Sequence, residues 1–363
     1  MNSLPSCVIK LKSTMKLTDL SSRTTDWFNG AGPMADIVIS SRIRLARNIA
    51  KAKFTSRCSD EEKQHIMDML AEVATELDQL GKLSFVNVEK LSTLERSFLV
   101  ERQLISRNLA AGSGPRGVVI AADELFSAML NEEDHLRMQV LASGLDLEKC
   151  WDKINRIDDF ISQTAKYAFH RQYGYLTACP TNVGTGIRVS VMLHLPGLKM
   201  TDQLKKVFDA VKDMNLTVRG MFGEGTEAVG DFFQVSNQVT LGVKEERIIE
   251  NFSKVIIPKI VEYERLSREK LLNEDITVLE DKISRAMALL KNARLISSHE
   301  ALFLLSNLRL GVNIGIIKDL SIAAINELFM LTQPSHLQLN HGSVLTAEQR
   351  DMLRAQKLKA KLN

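Results

Sequence analysis

The first ordered pattern along the chain is an alternation of apolar and polar residues in DIVISSRIRLARN, residues 36–48. In an extended strand, successive side chains point to opposite faces. Arg42 and Arg44 therefore share one face of a predicted strand. Ile43 and Leu45 share the other face, which is the one expected to pack in a core.

The run IRVSVMLHL, residues 187–195, alternates in the same way. One face of this second predicted strand carries Arg188, Ser190, Met192 and His194. Residues 216–242 alternate strand signals with glycine-rich loops, and a Gly-Ser-Gly-Pro turn at 112–115 precedes a predicted hairpin that leads into a charged cluster.

Helical spacing of apolar residues predicts the other elements. A helix is predicted over 59–80, where Ser59 begins a capping box and Gly81 marks the end. Another is predicted over 201–213. From about residue 244 apolar residues recur at helical spacing and no strand pattern follows. Further capping boxes are predicted at Ser297 and Thr346, and a helix is expected to end at Pro334.

These patterns predict an α+β domain followed by an all-helical C-terminal domain. The predicted bounds are an N-terminal segment at 1–35, a mixed domain at 36–265 and a helical domain at 266–363. Met15 and the residues after it are typical of a natural start. Residues 1–14 are therefore expected to be a disordered extension.

Composition limits the possible functions. Apolar residues make up 45% of the 363 residues and charged residues 25%, which is ordinary for a soluble globular protein. The net charge is +3, from 47 basic and 44 acidic residues, so a dedicated nucleic-acid surface is not expected and any cationic site must be local. No apolar run is long enough to span a bilayer and no signal peptide is evident.

Cysteine usage indicates the cellular compartment. Four cysteines are scattered without a CxxC pair, which predicts neither a disulfide framework nor a zinc site and favours a reducing cytoplasm. They are Cys7, Cys58, Cys150 and Cys179.

Five arginines stand at strand ends or beside glycine loops, within or next to apolar runs. Each alone is typical of a solvated edge residue or a salt-bridge partner. Together, planar guanidinium donors indicate a ligand with several anionic oxygens, of which a nucleotide triphosphate is the commonest. The five are Arg42, Arg44, Arg137, Arg188 and Arg219.

Two acidic sites and a cysteine loop accompany the arginines. NEEDH, residues 131–135, precedes Arg137, and RGMFGEG, residues 219–225, places Glu224 between two glycines. Each carboxylate alone is typical of a solvated loop. No Walker A motif and no protein-kinase HRD/DFG set is present, and the GTG at 184–186 is too short to indicate a dinucleotide site.

Four segments, SSRIR, NEEDHLR, CPTNVGTGIR and RGMFGEGTEA, resemble in order and spacing the phosphagen kinases, the ATP:guanido phosphotransferases. The resemblance covers roughly residues 36–265. SSRIRLARN, FQVSNQVTLG and the helical C-terminal region are more similar to the bacterial protein-arginine kinases of that family. The resemblance implies an antiparallel sheet flanked by helices. It also implies an ATP-dependent transferase that phosphorylates protein arginines, marking them for Clp-type degradation in a stress response.

The resemblance also implies roles for individual residues. Glu133 and Glu224 would hold the acceptor guanidinium, with Cys179 beside it as a third catalytic residue. The arginines would clamp ATP, with Mg²⁺ bridging its phosphates and no dedicated protein cage for the metal. The segments implied to bind the nucleotide comprise Ser40, Ser41, Arg42, Ile43, Arg44, Arg137, Arg188, Val189, Ser190, Val191, Met192, Arg219, Gly220, Met221, Phe222, Gly223 and Glu224.

RDMLRA, residues 350–355, fits the RDxxRA pattern with which this family binds phosphoarginine. On a helix, Arg350 and Arg354 are four residues apart and share a face, so both can contact a phosphate while Asp351 engages the guanidinium. Without the upstream resemblance, the segment is typical of a basic solvated helix tail. The predicted regulatory site comprises Arg350, Asp351, Met352, Leu353, Arg354 and Ala355.

Three functions remain open. Only 39 residues precede SSRIR, which leaves no room for the helical N-terminal domain with which small-guanidine kinases cover free arginine or creatine. Arginine in a protein is therefore the preferred substrate. A kinase of free arginine or another small guanidine is the alternative enzyme. An inactive phosphoarginine-binding adaptor is the third, disfavoured because all five arginines and both glutamates are present.

The resemblance further implies partners. They are substrate proteins with exposed arginines, a zinc-binding activator, a heat-shock repressor, the Clp protease machinery and a second copy of the chain in a homodimer or larger homo-oligomer. Gln103 stands where relatives carry a histidine in a nucleotide-contacting segment, which leaves the adenine contact open. His135 and His194 are expected to be structural.

Overall fold

The computed structural model describes residues 17–21, 23–77, 81–220 and 228–363. The strands in these ranges are β1 (Val38–Arg47), β2 (Leu83–Asn87), β3 (Gly117–Ala121), β4 (Phe126–Leu130), β5 (Leu136–Ser143), β6 (Phe169–His170), β7 (Gly174–Tyr175), β8 (Ile187–His194), β9 (Leu216–Gly220) and β10 (Phe232–Asn237). Eight of them form one antiparallel sheet in the order β2-β3-β4-β5-β1-β8-β10-β9, and β6 and β7 form a separate hairpin. The predicted antiparallel sheet is confirmed.

The helices pack around this sheet and make up the C-terminal part. They are α1 (Leu17–Ser21), α2 (Asp60–Thr75), α3 (Thr93–Glu101), α4 (Arg107–Ala111), α5 (Leu147–Thr164), α6 (Pro196–Met200), α7 (Leu204–Asp213), α8 (Glu245–Asn251), α9 (Ile257–Glu274), α10 (Ile276–Asn292), α11 (Ser298–Asn313), α12 (Ile322–Leu331), α13 (Pro334–His341) and α14 (Ala347–Leu362). One π-helical turn, Phe252–Ile256, joins α8 to α9. The residue 265 proposed as a domain boundary lies within α9.

The alternation in β1 predicts its two faces correctly. Ile43 and Leu45 are fully buried in a core formed with the helices on one side of the sheet, among them α2 and α5. Arg42 and Arg44 lie on the opposite side. Because β1 pairs with β5 on one edge and β8 on the other, these arginines occupy the middle of the sheet.

The arginine-bearing face of the sheet is covered at its two ends. At one end Phe98 and Leu99 of α3 belong to the same buried apolar cluster as Val118 and Ile120 of β3 and Met129 of β4. At the other end the C-terminal helices pack on Phe232 and its neighbours through residues such as Leu305 and Phe329. The centre of this face is left open between the two groups of helices, which creates a cleft.

The predicted helices form, but some of their ends differ: α2 ends at Thr75 and not at Gly81, and α7 begins at Leu204 and not at residue 201. The capping boxes of α2 and α14 are present, and the Ser297 hydroxyl accepts a hydrogen bond from the Glu300 N–H at the start of α11. The hairpin of β3 and β4 leads into the predicted acidic cluster. The prediction that Pro334 ends a helix is wrong, since α12 ends at Leu331 and Pro334 is the first residue of α13. Proline favours that position because its missing N–H would have no partner in the first turn.

In the described ranges, no helix combines the length and the apolar character needed to cross a lipid bilayer.

Candidate functional site

The strand register brings the five predicted arginines to one face of the sheet. Arg44 on β1 lies directly opposite Arg188 on β8, and Arg219 on β9 lies opposite Gln234 on β10. All five line a single cleft of about 1190 Å³, together with Glu133 and Cys179. Of the seven charged groups proposed from the sequence, the five arginines and Glu133 lie in this cleft, and Glu224 lies outside the described residues.

The arginines repel one another in a partly dehydrated site. Burial, and then the charges of Arg137 and Arg188, lower the pKa of Arg42 to about 10. The pKa of Arg44 is also lowered, first by burial and then by Arg42, and that of Arg188 by burial and Arg219. The Nε of Arg44 is buried and has no hydrogen-bond partner in the described residues. Concentrated, incompletely satisfied guanidinium groups favour a multiply charged anion.

Two acidic residues of the NEEDH loop have different partners. Glu132 binds Arg137 and also accepts a hydrogen bond from the Ser106 hydroxyl. Glu133 accepts a 3.3 Å hydrogen bond from the side-chain amide of Asn182, and burial raises its pKa. Glu132 therefore balances the charge of Arg137, while Glu133 faces the cleft beside the cysteine loop.

Buried hydrogen bonds to Asp134 hold the NEEDH loop in place. Asp134 accepts hydrogen bonds from the side chain of Asn48 at 2.6 Å and from the backbone N–H of Ala178 at 2.7 Å. The second contact ties this loop to the segment just before Cys179. In the sequence Asp134 stands out only as part of an acidic run. It lies 86 residues from Asn48, which explains why spacing did not indicate their contact.

The cysteine loop closes through paired backbone bonds between Tyr175 and Gly184, and it places the Cys179 Sγ 3.0 Å from the Thr181 hydroxyl. Arg47 holds the base of this loop: its guanidinium carbon lies 3.6 Å from the Tyr175 ring centroid, and Nη1 donates to the Thr185 carbonyl.

Arg47 is in turn held by Asp158 on α5, with an Nη2–Oδ2 distance of 2.7 Å, and both side chains are buried. Sequence reasoning missed both residues. The sequence did contain one indication of such a pair: Arg47 stands on the core-facing side of β1, where an apolar residue is expected.

Several residues of the predicted nucleotide segments do not reach the cleft, which corrects the sequence-derived site. Ile43, Val189 and Val191 are completely buried in the core on the opposite face, as strand alternation requires. Ser41 is also on that side, where its hydroxyl donates to the Gly144 carbonyl.

The remaining predicted nucleotide residues lie in or beside the cleft or outside the described ranges. Gly220 lines the main cleft, and Ser40, Ser190 and Met192 line a small adjoining cavity next to Trp27. Four positions lie outside the described residues: Met221, Phe222, Gly223 and the predicted catalytic Glu224.

The two histidines predicted to be structural are buried and hydrogen-bonded. His135 accepts from the backbone N–H of Ile49 through Nδ1, and its Nε2 lies 2.9 Å from the Lys53 carbonyl. The Nε2 of His194 lies 2.8 Å from the Ser306 hydroxyl. Neither lines the cleft, so their structural assignment agrees with their surroundings.

The RDMLRA segment lies on α14, where its arginines differ in exposure. Arg354 is 1% exposed and donates to the carbonyls of Thr332 and Ile296 and to Asp351. Arg350 is partly exposed and donates to the Leu345 carbonyl. Ala355 is buried with Arg354, Leu353 is partly exposed, and Met352 is exposed.

In the described ranges, no cluster of three or more His, Cys, Asp or Glu side chains has an arrangement that could hold a metal ion. The charged groups that line the cleft are mainly guanidinium groups, with Glu101 and Glu133 as its acidic residues. The described part of the cleft is therefore suited to the oxygens of an anion.

Two family models match consecutive parts of the chain. Residues 64–267 match the catalytic C-terminal domain of the ATP:guanido phosphotransferases. Residues 276–363 match the C-terminal domain of the protein-arginine kinase McsB.

Curated relatives match over almost their whole length. A protein-arginine kinase of Halothermothrix orenii is 43% identical over 350 residues, covering 96% of this chain and 100% of the relative. One of Desulforamulus reducens is 44% identical over 347 residues, covering 95% and 97%. One of Bacillus cereus is 43% identical over 345 residues, covering 94% and 97%.

Solved structures are similar at the level of the fold. The duplicated taurocyamine kinase of Schistosoma mansoni, with bound components of a transition-state analogue, superposes with a TM-score of 0.58 at 23% identity over 68% of this chain. The match spans 35% of that longer chain. A lombricine kinase superposes with a TM-score of 0.57 at 22% identity, covering 68% of this chain and 70% of the other.

Proposed function

This chain belongs to the ATP:guanido phosphotransferase family, and from that premise we propose that it transfers the γ-phosphoryl group of ATP to arginine side chains of proteins. The observation that carries the proposal is the convergence of five arginines on one face of the sheet, with Glu133 and Cys179 in the same cleft. Matches to protein-arginine kinases extend through both parts of the chain.

The arginine end of the cleft is proposed to hold the triphosphate. Arg42, Arg44 and Arg188 lie on adjacent strands, and Arg137 and Arg219 flank them. During transfer, negative charge spreads over the γ-phosphoryl oxygens, and fixed guanidinium groups stabilise that charge without titrating. In other phosphoryl-transfer enzymes one well-placed arginine contributes about 10³–10⁵ in rate.

The other end is proposed to hold the acceptor guanidine. An Nη of the substrate arginine attacks the γ-phosphorus, the N–P bond forms, and the bond from phosphorus to the β-γ bridging oxygen breaks to release ADP. The proton from that nitrogen passes to a Glu133 oxygen. Complete transfer before attack would be strongly unfavourable, because a guanidine holds its proton far more tightly than a carboxylate does, even with the pKa of Glu133 raised by burial. Glu133 therefore orients the cation first and takes the proton late.

Glu224 is proposed as the second carboxylate for the acceptor, and Cys179 as a neighbour of its reacting nitrogen. Mg²⁺ is proposed to enter with ATP as part of the substrate. This ion keeps several waters and commonly binds through phosphate oxygens.

Arginine on a protein is preferred to free arginine because the relatives that match nearly end to end are named protein-arginine kinases. Incubation with ATP and either casein or free arginine separates the two. Acid-labile phosphate on casein is the expected result. Phosphate on free arginine alone would contradict the proposal.

A second test addresses the site itself. Mass spectrometry of a mixed protein pool, under conditions that preserve N–P bonds, should find phosphoarginine with the wild type and at least ~100-fold less with Arg44→Ala. Arg156, an exposed arginine on α5, supplies the matched control Arg156→Ala. Equal labelling by Arg44→Ala and the wild type would refute the active-site assignment.

Regulation and partners are proposed from the family likeness. Arg350, Asp351 and Arg354, with Met352, Leu353 and Ala355 between and after them, are proposed to form a regulatory phosphoarginine site that makes the enzyme allosteric. A zinc-binding activator, a heat-shock repressor, the Clp machinery and a second copy of the chain are the proposed partners in a cytoplasmic stress response. Binding of a phosphoarginine peptide to the wild type, weakened by Arg350→Ala, tests the regulatory site.

A further inference from the structure

Arg42 is held in the cleft by three uncharged side chains. Its Nε donates to the Ser190 hydroxyl at 3.3 Å, Nη1 to Gln103 Oε1 at 3.2 Å and Nη2 to Gln234 Oε1 at 2.5 Å. It forms no salt bridge with any described residue, and the charges that act on it most are those of Arg137 and Arg188. Its positive charge is therefore left without a balancing anion from the described protein.

The neighbouring Arg137 is held differently. Its Nη1 binds the carboxylate of Glu132, which is almost completely buried. Two arginines on adjacent strands thus have opposite arrangements: one is neutralised by a carboxylate and the other is oriented by amide oxygens. Arg42, in the middle of the sheet, thus keeps a positive charge that no described carboxylate pairs with, whereas Arg137 does not.

Amide acceptors satisfy N–H groups of the Arg42 guanidinium without cancelling its charge. A partly buried guanidinium needs acceptors for its five N–H groups, and a carboxylate partner would satisfy them while cancelling the charge. An amide oxygen accepts a hydrogen bond and leaves the charge of the guanidinium in place. Two donors of Arg42 are used in this way and a third is taken by the Ser190 hydroxyl, so one N–H on Nη1 and one on Nη2 remain for a ligand.

Both glutamines are themselves fixed, and they approach Arg42 from different elements. Gln103 follows α3 with a left-handed φ of 61°, its N–H donates to the Val100 carbonyl, and its own carbonyl accepts from Gln139. Gln234 lies on β10, where the sheet register pairs it with Met192 on one side and Arg219 on the other. The backbone of each glutamine is therefore held in place beside Arg42.

We propose that Gln103 and Gln234 are positioning residues for ATP, an uncharged cradle that fixes Arg42 for the phosphates without neutralising it. This inference rests on the proposed kinase function and assigns a role to Gln103, whose part in nucleotide binding the sequence left open. The amides act through Arg42 and need not touch the reacting atoms.

The first test introduces a carboxylate of almost the same shape. Gln234→Glu and Gln103→Glu each provide an anion for Arg42. The Kd for ADP, measured by calorimetry, and the KM for ATP should both rise about 10-fold or more, equivalent to about 1.4 kcal/mol. The KM for the protein acceptor should stay within about twofold, because the change acts at the nucleotide end. Thermal unfolding checks that each variant is folded.

The second test removes the acceptor without adding charge. Gln234→Met and Gln103→Met keep the side-chain length and lose the amide oxygen, so the Kd for ADP should rise less than in the glutamate variants, by about 3- to 5-fold. Gln172, exposed in the turn between β6 and β7, provides the charge-matched control Gln172→Glu, which should leave the Kd unchanged.

Two outcomes would overturn the inference. One is an unchanged Kd for ADP in folded Gln103→Glu and Gln234→Glu. The other is an equal loss in the Met and Glu variants, which would show that packing and not charge is responsible. If Gln234→Glu fails to fold, Gln103→Glu carries the same test. A wild type that binds ADP but labels no arginine would refute the proposed function and leave this inference standing.

Discussion

Arg44 on β1 and Arg188 on β8 lie directly opposite each other in the antiparallel register. Like charges in this position are destabilising by about 0.2–1 kcal/mol. The Arg44 Nε adds a buried donor that has no partner in the described residues. The sheet thus carries an unfavourable arrangement at its centre, which a bound anion would relieve.

Replacing Arg44 should therefore stabilise the free protein while impairing the enzyme. Arg44→Met removes the repulsion and the unsatisfied donor, so the free energy of unfolding should rise by about 1 kcal/mol. Protein-arginine labelling should fall at least ~100-fold, because the contact proposed between Arg44 and the phosphates would be lost. Urea unfolding and a labelling assay measure the two effects. A less stable variant with normal labelling would contradict this reasoning.

The pH dependence of the reaction should report Glu133. Burial raises the pKa of this carboxyl group, so the group must lose its proton above the ordinary glutamate value of ~4.3 before it can accept one from the substrate. The acid limb of the kcat/KM profile should therefore lie above that value. Glu133→Gln should abolish this limb and most of the activity.

The same shift predicts a stability difference between Glu133→Gln and the wild type. The folded state binds the Glu133 proton more tightly than the unfolded chain, so the stability of the wild type falls as the pH rises from the unfolded pKa through the raised folded pKa. Glu133→Gln should consequently be more stable than the wild type at pH 7, and the gain should vanish below about pH 4. Glu269→Gln, at an exposed position on α9, is the control that should show no such difference.

The pair of Arg47 and Asp158 should dominate the stability of the cysteine loop. Arg47→Met leaves Asp158 buried and unpaired, at a cost of about 3–5 kcal/mol in the free energy of unfolding. The double variant Arg47→Met/Asp158→Leu should recover part of this loss, because no lone charge remains. Urea unfolding of the single and double variants measures the loss of stability and its recovery. Equal destabilisation of the single and double variants would show that packing on Tyr175, and not the charge pair, is responsible.

The two arginines of RDMLRA should behave differently when truncated. Arg354→Ala removes three hydrogen bonds, two of them to the carbonyls of Thr332 and Ile296, and should lower the unfolding free energy by about 2–4 kcal/mol. Arg350→Ala removes one bond to the Leu345 carbonyl at a partly exposed site and should cost less than about 1 kcal/mol. Thermal and urea unfolding of the two variants measure these losses in the free energy of unfolding.

This difference decides which substitution tests phosphoarginine binding. A loss of peptide affinity in Arg354→Ala accompanied by partial unfolding would be uninformative about ligand contacts, so Arg350→Ala is the appropriate variant. Equal stability of the two variants would show that the buried contacts of Arg354 contribute little to folding.

Local patterns in the sequence determined which residues share a face. Strand alternation placed Arg42 and Arg44 together and Ile43 on the core side, because side chains in a strand have a period of two whatever the strand pairs with. Helical spacing in the same way placed Arg350 and Arg354 on one side of α14.

Tertiary structure decided which distant residues contact one another. Whether Arg44 faces Arg188, whether Arg42 is held by amides, and which arginine of RDMLRA is buried all depend on contacts between distant parts of the chain. The Nη2 of Arg42 and the amide of Gln234 are 192 residues apart in sequence, and only the sheet register brings them together. Periodicity is a property of one element, whereas charge compensation and burial are properties of the packed assembly of elements.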